Sequence, residues 1–105
     1  MREKESDTQN TICEYLERRQ HFFWRVNNVG MYDPVNERYR SMPKYARYGV
    51  PDIILIIGGV FYGLEVKTKV GQQSVHQKKF QEDVEKVGGI YKVVRSVEDV
   101  QELGL

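Results

Sequence analysis

The apolar and polar positions of this chain change period several times, and each change marks an element. Asp52 to Ile57 is a continuous aliphatic run after one acid and reads as a buried strand. Gly58-Gly59 follows, two residues that accept the positive φ of a tight hairpin. Val60 to Lys67 reads as the return strand, with Val60, Tyr62, Leu64 and Val66 on one face and Phe61, Gly63, Glu65 and Lys67 on the other. Before this hairpin, Ile12, Leu16 and Arg19, with Tyr15 beside them, repeat at helical spacing. They predict a first helix from near Ser6 to near Gln20, with Ser6 and Gln9 spaced as a capping box. Phe22 to Val26, aromatic and β-branched, predicts a strand. Asn27 to Tyr48 contains Gly30, Asp33-Pro34 and Pro43 and reads as a long connection, a class of segment often tied to function. After the hairpin, Ser74 opens a second helix with Phe80, Val84 and Val87 as its buried stripe, and Gly88-Gly89 ends it. Ile90 to Arg95 predicts a further strand, and Ser96 to Leu103 a short capped helix with Val97, Val100 and Leu103 inward. The predicted order is αβββαβα, an α/β fold with a central mixed sheet flanked by helices.

Composition places the chain among ordinary globular proteins. It has 105 residues, 40% hydrophobic and 30% charged, enough for one domain over residues 1–105 with one core. The formal net charge of +1 does not announce a partner, but local charge changes the picture. Arg38, Arg40, Lys44 and Arg47 alternate with Tyr39, Tyr45 and Tyr48, and Lys67, Lys69, Lys78 and Lys79 form a second cluster. Basic side chains mixed with aromatics suit a phosphate backbone and exposed bases; the plainer reading is a solvated surface. Cys13 is the one cysteine, so no internal disulfide forms and no cysteine-based zinc site is possible. The N-terminal Met1–Glu5 is charged and lacks the apolar segment of a signal peptide, and the longest aliphatic run, Ile53–Ile57, is too short to cross a bilayer.

The hairpin also carries candidate chemistry. Asp52 stands at the start of one strand and Glu65 near the end of its neighbour, so the Gly58-Gly59 turn brings the two carboxylates together. Paired carboxylates chelate a hard divalent ion, and the backbone carbonyl of Val66 is placed to be a third ligand. Lys67 shares a face with Glu65 and can orient or deprotonate water, or stabilise developing negative charge. An Mg²⁺ or Mn²⁺ ion so held supports phosphodiester hydrolysis. Taken singly, Pro51-Asp52 often just opens a strand, and Glu65-x-Lys67 is an ordinary exposed alternation. Asp52 is the hardest to explain structurally, because a charge ahead of five aliphatic residues is costly to bury unless paired.

Pro51-Asp52 and Glu65-Val66-Lys67 resemble the PD-(D/E)xK nuclease superfamily, whose αβββαβ core matches the predicted order. The closer resemblance is to the VRR-Nuc family, carried by Arg25-x-Asn27, Gly49-Val50-Pro51-Asp52, Glu65-Val66-Lys67, Ser74-x-x-Gln77 and Val93-Val94-Arg95-Ser96-Val97-Glu98-Asp99, from about Glu5 to Val100. The resemblance implies Asp52 and Glu65 as metal ligands, Lys67 as the catalytic lysine and Gln77 as an active-site residue. It also implies an acidic residue on the first helix; Glu5 fits the spacing best, with Gln9 and Glu14 as the other candidates. Stand-alone members look like Holliday-junction resolvases and tend to be homodimers of phage or bacterial origin. The resemblance therefore implies a metal-dependent endonuclease acting on branched DNA in a bacterial cytoplasm.

Other roles stay open at this level. Ser74-x-x-Gln77 is itself a capping box, compatible with a site role for Gln77. Arg25 and Asn27 contact DNA or close the strand end. Arg47, beside Gly49-Val50-Pro51-Asp52, is the basic-loop candidate for a phosphate contact, and Lys69 is a further candidate for contact with DNA. Phe23 and Trp24 read as core. A rival reading is a catalytically silent nucleic-acid-binding module on the same fold, or a subunit that takes its specificity from a partner, as in restriction or repair systems.

Overall fold

The computed structural model describes residues 4–26, 32–33, 38–39 and 43–105, the two short segments by backbone alone. Its elements are α1 (Glu5–Arg18), β1 (Phe23–Arg25), β2 (Tyr32–Asp33), β3 (Arg38–Tyr39), β4 (Ile53–Ile57), β5 (Val60–Val66), α2 (Val75–Lys86), β6 (Ile90–Val94) and α3 (Val97–Glu102). One four-stranded sheet has the order β1-β4-β5-β6, antiparallel except for the parallel pair β5–β6. This is the α/β architecture with a mixed sheet read from the sequence. The addition is the small antiparallel hairpin β2–β3, inside the segment read as a connection. Two-residue strands are too short to carry a pattern.

The β4–β5 turn takes the predicted form, with φ of 57° at Gly58 and 78° at Gly59, the left-handed pair that matches strand twist. Register then assigns the faces. Ile53 pairs with Leu64 and Leu55 with Tyr62. With Ile12 and Leu16 of α1, and with Val66, Val94, Val100 and Leu105, the buried residues Ile53, Leu55 and Leu64 form the core. Each such side chain fully buried is worth about 1.5–3 kcal/mol. The opposite face carries Ile54, Gly63, Glu65 and Tyr91, with α2 packed on β6 and the Phe80 ring 6.1 Å from that of Tyr91. Among the described residues no helix is long and apolar enough to cross a membrane.

Several expectations are corrected. Helix α1 begins at Glu5 after an N-cap Lys4 with no side-chain cap hydrogen bond, so Ser6 and Gln9 do not form a capping box. Glu5 and Asp7 lie in the first turn, where negative charge favours the helix dipole. Thr8 joins Ile12 and Leu16 in the buried stripe, and Arg19 is the exposed C-cap. Val87 is 85% exposed because α2 has already ended there. Phe23 is half-buried against the core, but Trp24 is 43% exposed. It lies on the edge strand and turns its ring to Phe22, centroids 5.8 Å apart.

Candidate active site

Asp52 is set in place by the residue before it. Pro51 is fully buried and packs on Gly63, where a Cβ would come within 2.7 Å of Pro51 Cγ. The Asp52 carbonyl accepts from Val26 N–H at 2.8 Å, continuing the β1–β4 pairing. Asp52 Oδ2 accepts from Val66 N–H at 2.8 Å. One residue thus joins β1, through its backbone, to the end of β5, through its side chain.

Glu65 is 2% exposed, and among the described residues it is the charged side chain that is buried. Its Oε1 accepts from Gln77 Nε2 at 2.9 Å and lies 3.8 Å from Lys67 Nζ. Its Oε2 accepts from the Tyr91 hydroxyl at 3.3 Å. Burial, then the Asp52 charge and a hydrogen bond with Asp52, push the Glu65 carboxyl up to about 8, while Lys67 and Tyr91 pull it down. The Tyr91 phenol is raised, first by burial and then by the charge of Glu65. The Asp52 charge disfavours ionisation of Glu65, and either a proton or a cation between the two carboxylates relieves the repulsion.

Glu5, the first residue of α1, completes the group. One carboxylate oxygen from each of Glu5, Asp52 and Glu65 lies within 4.8 Å of the others. The placement of α1 follows from Arg25 on β1, whose Nη1 donates to Asn10 Oδ1 at 2.8 Å and Nη2 to Gln9 Oε1 at 2.9 Å. Gln9 lies one turn after Glu5, so this fork fixes the helix end that presents the carboxylate. Of the three helix-one candidates, Glu5 is in the cluster, Gln9 accepts from Arg25, and Glu14 is exposed on the helix surface.

Gln77 holds two positions with one side chain. Ser74 Oγ accepts from Gln77 N–H at 3.1 Å, and Gln77 Oε1 accepts from Ser74 N–H at 2.8 Å, a complete capping box. The Nε2 end remains for Glu65. Gly49, with φ of 77°, abuts this helix end: a Cβ there would come within 2.3 Å of the His76 carbonyl oxygen and 2.7 Å of Gln77 N.

The expected DNA-contacting residues lie around this centre rather than in it. Arg25 has both guanidinium ends engaged by α1. Arg47 pairs with Asp83 at 3.6 Å, and Asp83 also pairs with Lys79 at 3.1 Å. Tyr48 stacks on His76, centroids 5.0 Å apart. Lys69 is exposed on the segment after β5, and Asn27 lies outside the described residues. Two residues that sequence reasoning missed belong to the frame. Tyr91 looks like any aromatic in an apolar strand. Arg95, noted only as part of Val93-Val94-Arg95, donates to the carbonyls of Thr68 and, at 2.9 Å, Gly71, tying down the segment that follows Lys67.

No protein-family model and no curated protein matches the chain. A solved structure described as a VRR_NUC domain protein superposes with a TM-score of 0.72, over 98% of this chain and 86% of that one, at 15% identity. The chain has the VRR_NUC domain fold. The resemblance drawn from sequence motifs is thereby borne out at the level of architecture. On the VRR_NUC fold of this chain, Glu5, Asp52, Glu65 and Lys67 meet where α1 and β4 begin and β5 ends, flanked by the N-terminus of α2.

Proposed function

We propose that this chain is a VRR-Nuc member of the PD-(D/E)xK nucleases, a Mg²⁺- or Mn²⁺-dependent endonuclease that hydrolyses DNA phosphodiester bonds. The observation that carries the reading is the convergence of three carboxylates within 4.8 Å, with Lys67 Nζ 3.8 Å from Glu65, on a fold shared with a VRR_NUC domain protein. The donor set fits a hard divalent cation: all its side-chain atoms are carboxylate oxygens, and burial followed by the Asp52 charge raises Glu65, the second of which a cation between the two relieves. Asp52, Glu65, the Val66 carbonyl and Glu5 would hold it. When bound, such an ion activates water and offsets charge on the scissile phosphate.

The chain's own groups do the rest. Val66 N–H fixes the Asp52 carboxylate, and Gln77 fixes that of Glu65. Lys67, half-buried beside Glu65, takes a proton from the attacking water or stabilises the charge that develops on phosphorus-bound oxygen. Arg47 and Lys69, with Arg25 and Asn27, are the proposed contacts to the DNA backbone. The substrate we favour is branched DNA such as a four-way junction, cut by a homodimer, since two symmetric strands call for two sites. The setting we favour is a bacterial cytoplasm.

Cleavage of a labelled four-way junction and of linear duplex of the same sequence, with Mg²⁺, Mn²⁺ or EDTA, tests this reading on the native chain and Lys67→Ala. Metal-dependent cutting of the junction, lost in the variant, is expected. Equal cutting of both substrates removes the structure specificity. Binding without cutting under every metal condition overturns the enzyme assignment in favour of a silent binding module.

A further inference from the structure

Tyr91 raises a question that packing does not answer. It is fully buried on β6, opposite Gly63, with its ring against Phe80 at 6.1 Å and an interplanar angle of 49°. A phenylalanine would make the same ring contacts without a hydroxyl to desolvate, and burying an unpaired hydroxyl is costly. The hydroxyl is therefore explained by its partner, and that partner is Glu65 Oε2 at 3.3 Å.

In that hydrogen bond the phenol is the donor and the carboxylate oxygen the acceptor. Gln73 Nε2 donates to Gln81 Oε1 at 2.9 Å, and Gln81 Nε2 reaches the Tyr91 carbonyl at 3.5 Å. Tyr91 is thus gripped at its ring, its carbonyl and its hydroxyl. Glu65 in turn is gripped at both oxygens, by Gln77 from α2 and by Tyr91 from β6. A carboxylate held at both oxygens has its plane set before any ligand arrives.

We propose that Tyr91 is a positioning residue for the metal site: its hydroxyl orients the Glu65 carboxylate toward the cation, and cation affinity depends on it. The proposal rests on the metal-centre reading above. Partners that orient a ligating side chain from behind typically account for 10–100-fold in metal affinity.

The test is Mn²⁺ binding by isothermal titration calorimetry at one fixed pH, without DNA, on the full chain. Native protein is compared with Tyr91→Phe and Phe80→Leu, with melting temperatures in EDTA alongside. Tyr91→Phe, which keeps the ring, is expected to stay folded and to weaken Mn²⁺ binding about 10–100-fold. Phe80→Leu, which loosens the same packing, is expected to lower the melting temperature and leave affinity in place. Native-like affinity in Tyr91→Phe overturns the proposal while the metal centre stands. Equal loss of affinity in Phe80→Leu also overturns it, since packing would then be what matters. Absence of Mn²⁺ binding by the native chain overturns the metal-centre reading itself.

Discussion

The side chain of Gln77 closes the capping box of α2 with its oxygen and holds Glu65 with its nitrogen, 2.9 Å from Oε1. Helix stability and site geometry are therefore coupled through one amide. The coupling separates two substitutions. Ser74→Ala removes one capping hydrogen bond and is expected to cost about 1 kcal/mol in urea unfolding, with metal-supported cleavage near native. Gln77→Ala should cost a similar amount of stability and also release Glu65, so cleavage should fall at least tenfold. Equal cleavage by the two variants would show that the contact with Glu65 is idle.

Metal-free stability should fall as pH rises. Glu65 is raised from its ordinary 4.5 to about 8, so between those values the folded chain keeps a proton that the unfolded chain has lost. Folding then binds protons, and stability declines through this window by up to about 1.4 kcal/mol per pH unit, levelling off above it. Urea unfolding in EDTA across pH 5 to 9 checks the slope. Saturating Mn²⁺ should flatten or invert it, because the cation takes the place of the proton. A slope unchanged by Glu65→Gln would assign the effect elsewhere.

Gly49→Ala should damage the site from a distance. The added Cβ meets the His76 carbonyl at 2.3 Å in a backbone already at φ of 77°. Left-handed backbone costs a non-glycine residue about 1–2 kcal/mol, and the start of α2 must also move. Gly88→Ala, at φ of 91° with nothing near its Cβ, carries the strain alone. Both should melt earlier, but only Gly49→Ala should lose cleavage at temperatures where it is folded.

Arg47→Ala should act on substrate binding and leave the fold intact. Its exposed ion pair with Asp83 is worth little to stability. If Arg47 meets a phosphate, the substitution lowers the slope of log affinity against log salt by about 1. Fluorescence anisotropy with a labelled junction in Ca²⁺ gives that slope, and an unchanged value would remove Arg47 from the interface.

Asp52, Glu65 and Lys67 were legible in sequence because local rules relate them. Strand alternation puts Glu65 and Lys67 on one face, and a two-glycine turn sets Asp52 opposite. Gln77 was legible because capping is local too. The rest required tertiary contacts. Nothing in Phe22–Val26 tells an edge strand from a central one, so Trp24 read as core. The spacing of Ser6 and Gln9 fits a cap, but Gln9 is engaged by Arg25 from another element, and the helix starts earlier. Tyr91 reaches Glu65 only because β6 pairs in parallel with β5, a register no local pattern encodes.

That pairing has a consequence for synthesis. Glu5 opens the first element, while Tyr91 lies in the last strand, and the β6 backbone pairs directly along Glu65. A chain emerging from the ribosome holds its acidic residues long before the strand that orders them. Non-local closure of this kind comes late in folding. The carboxylates of Glu5, Asp52 and Glu65 are thus all synthesised before β6, and the centre proposed above is complete only once that strand has joined the sheet.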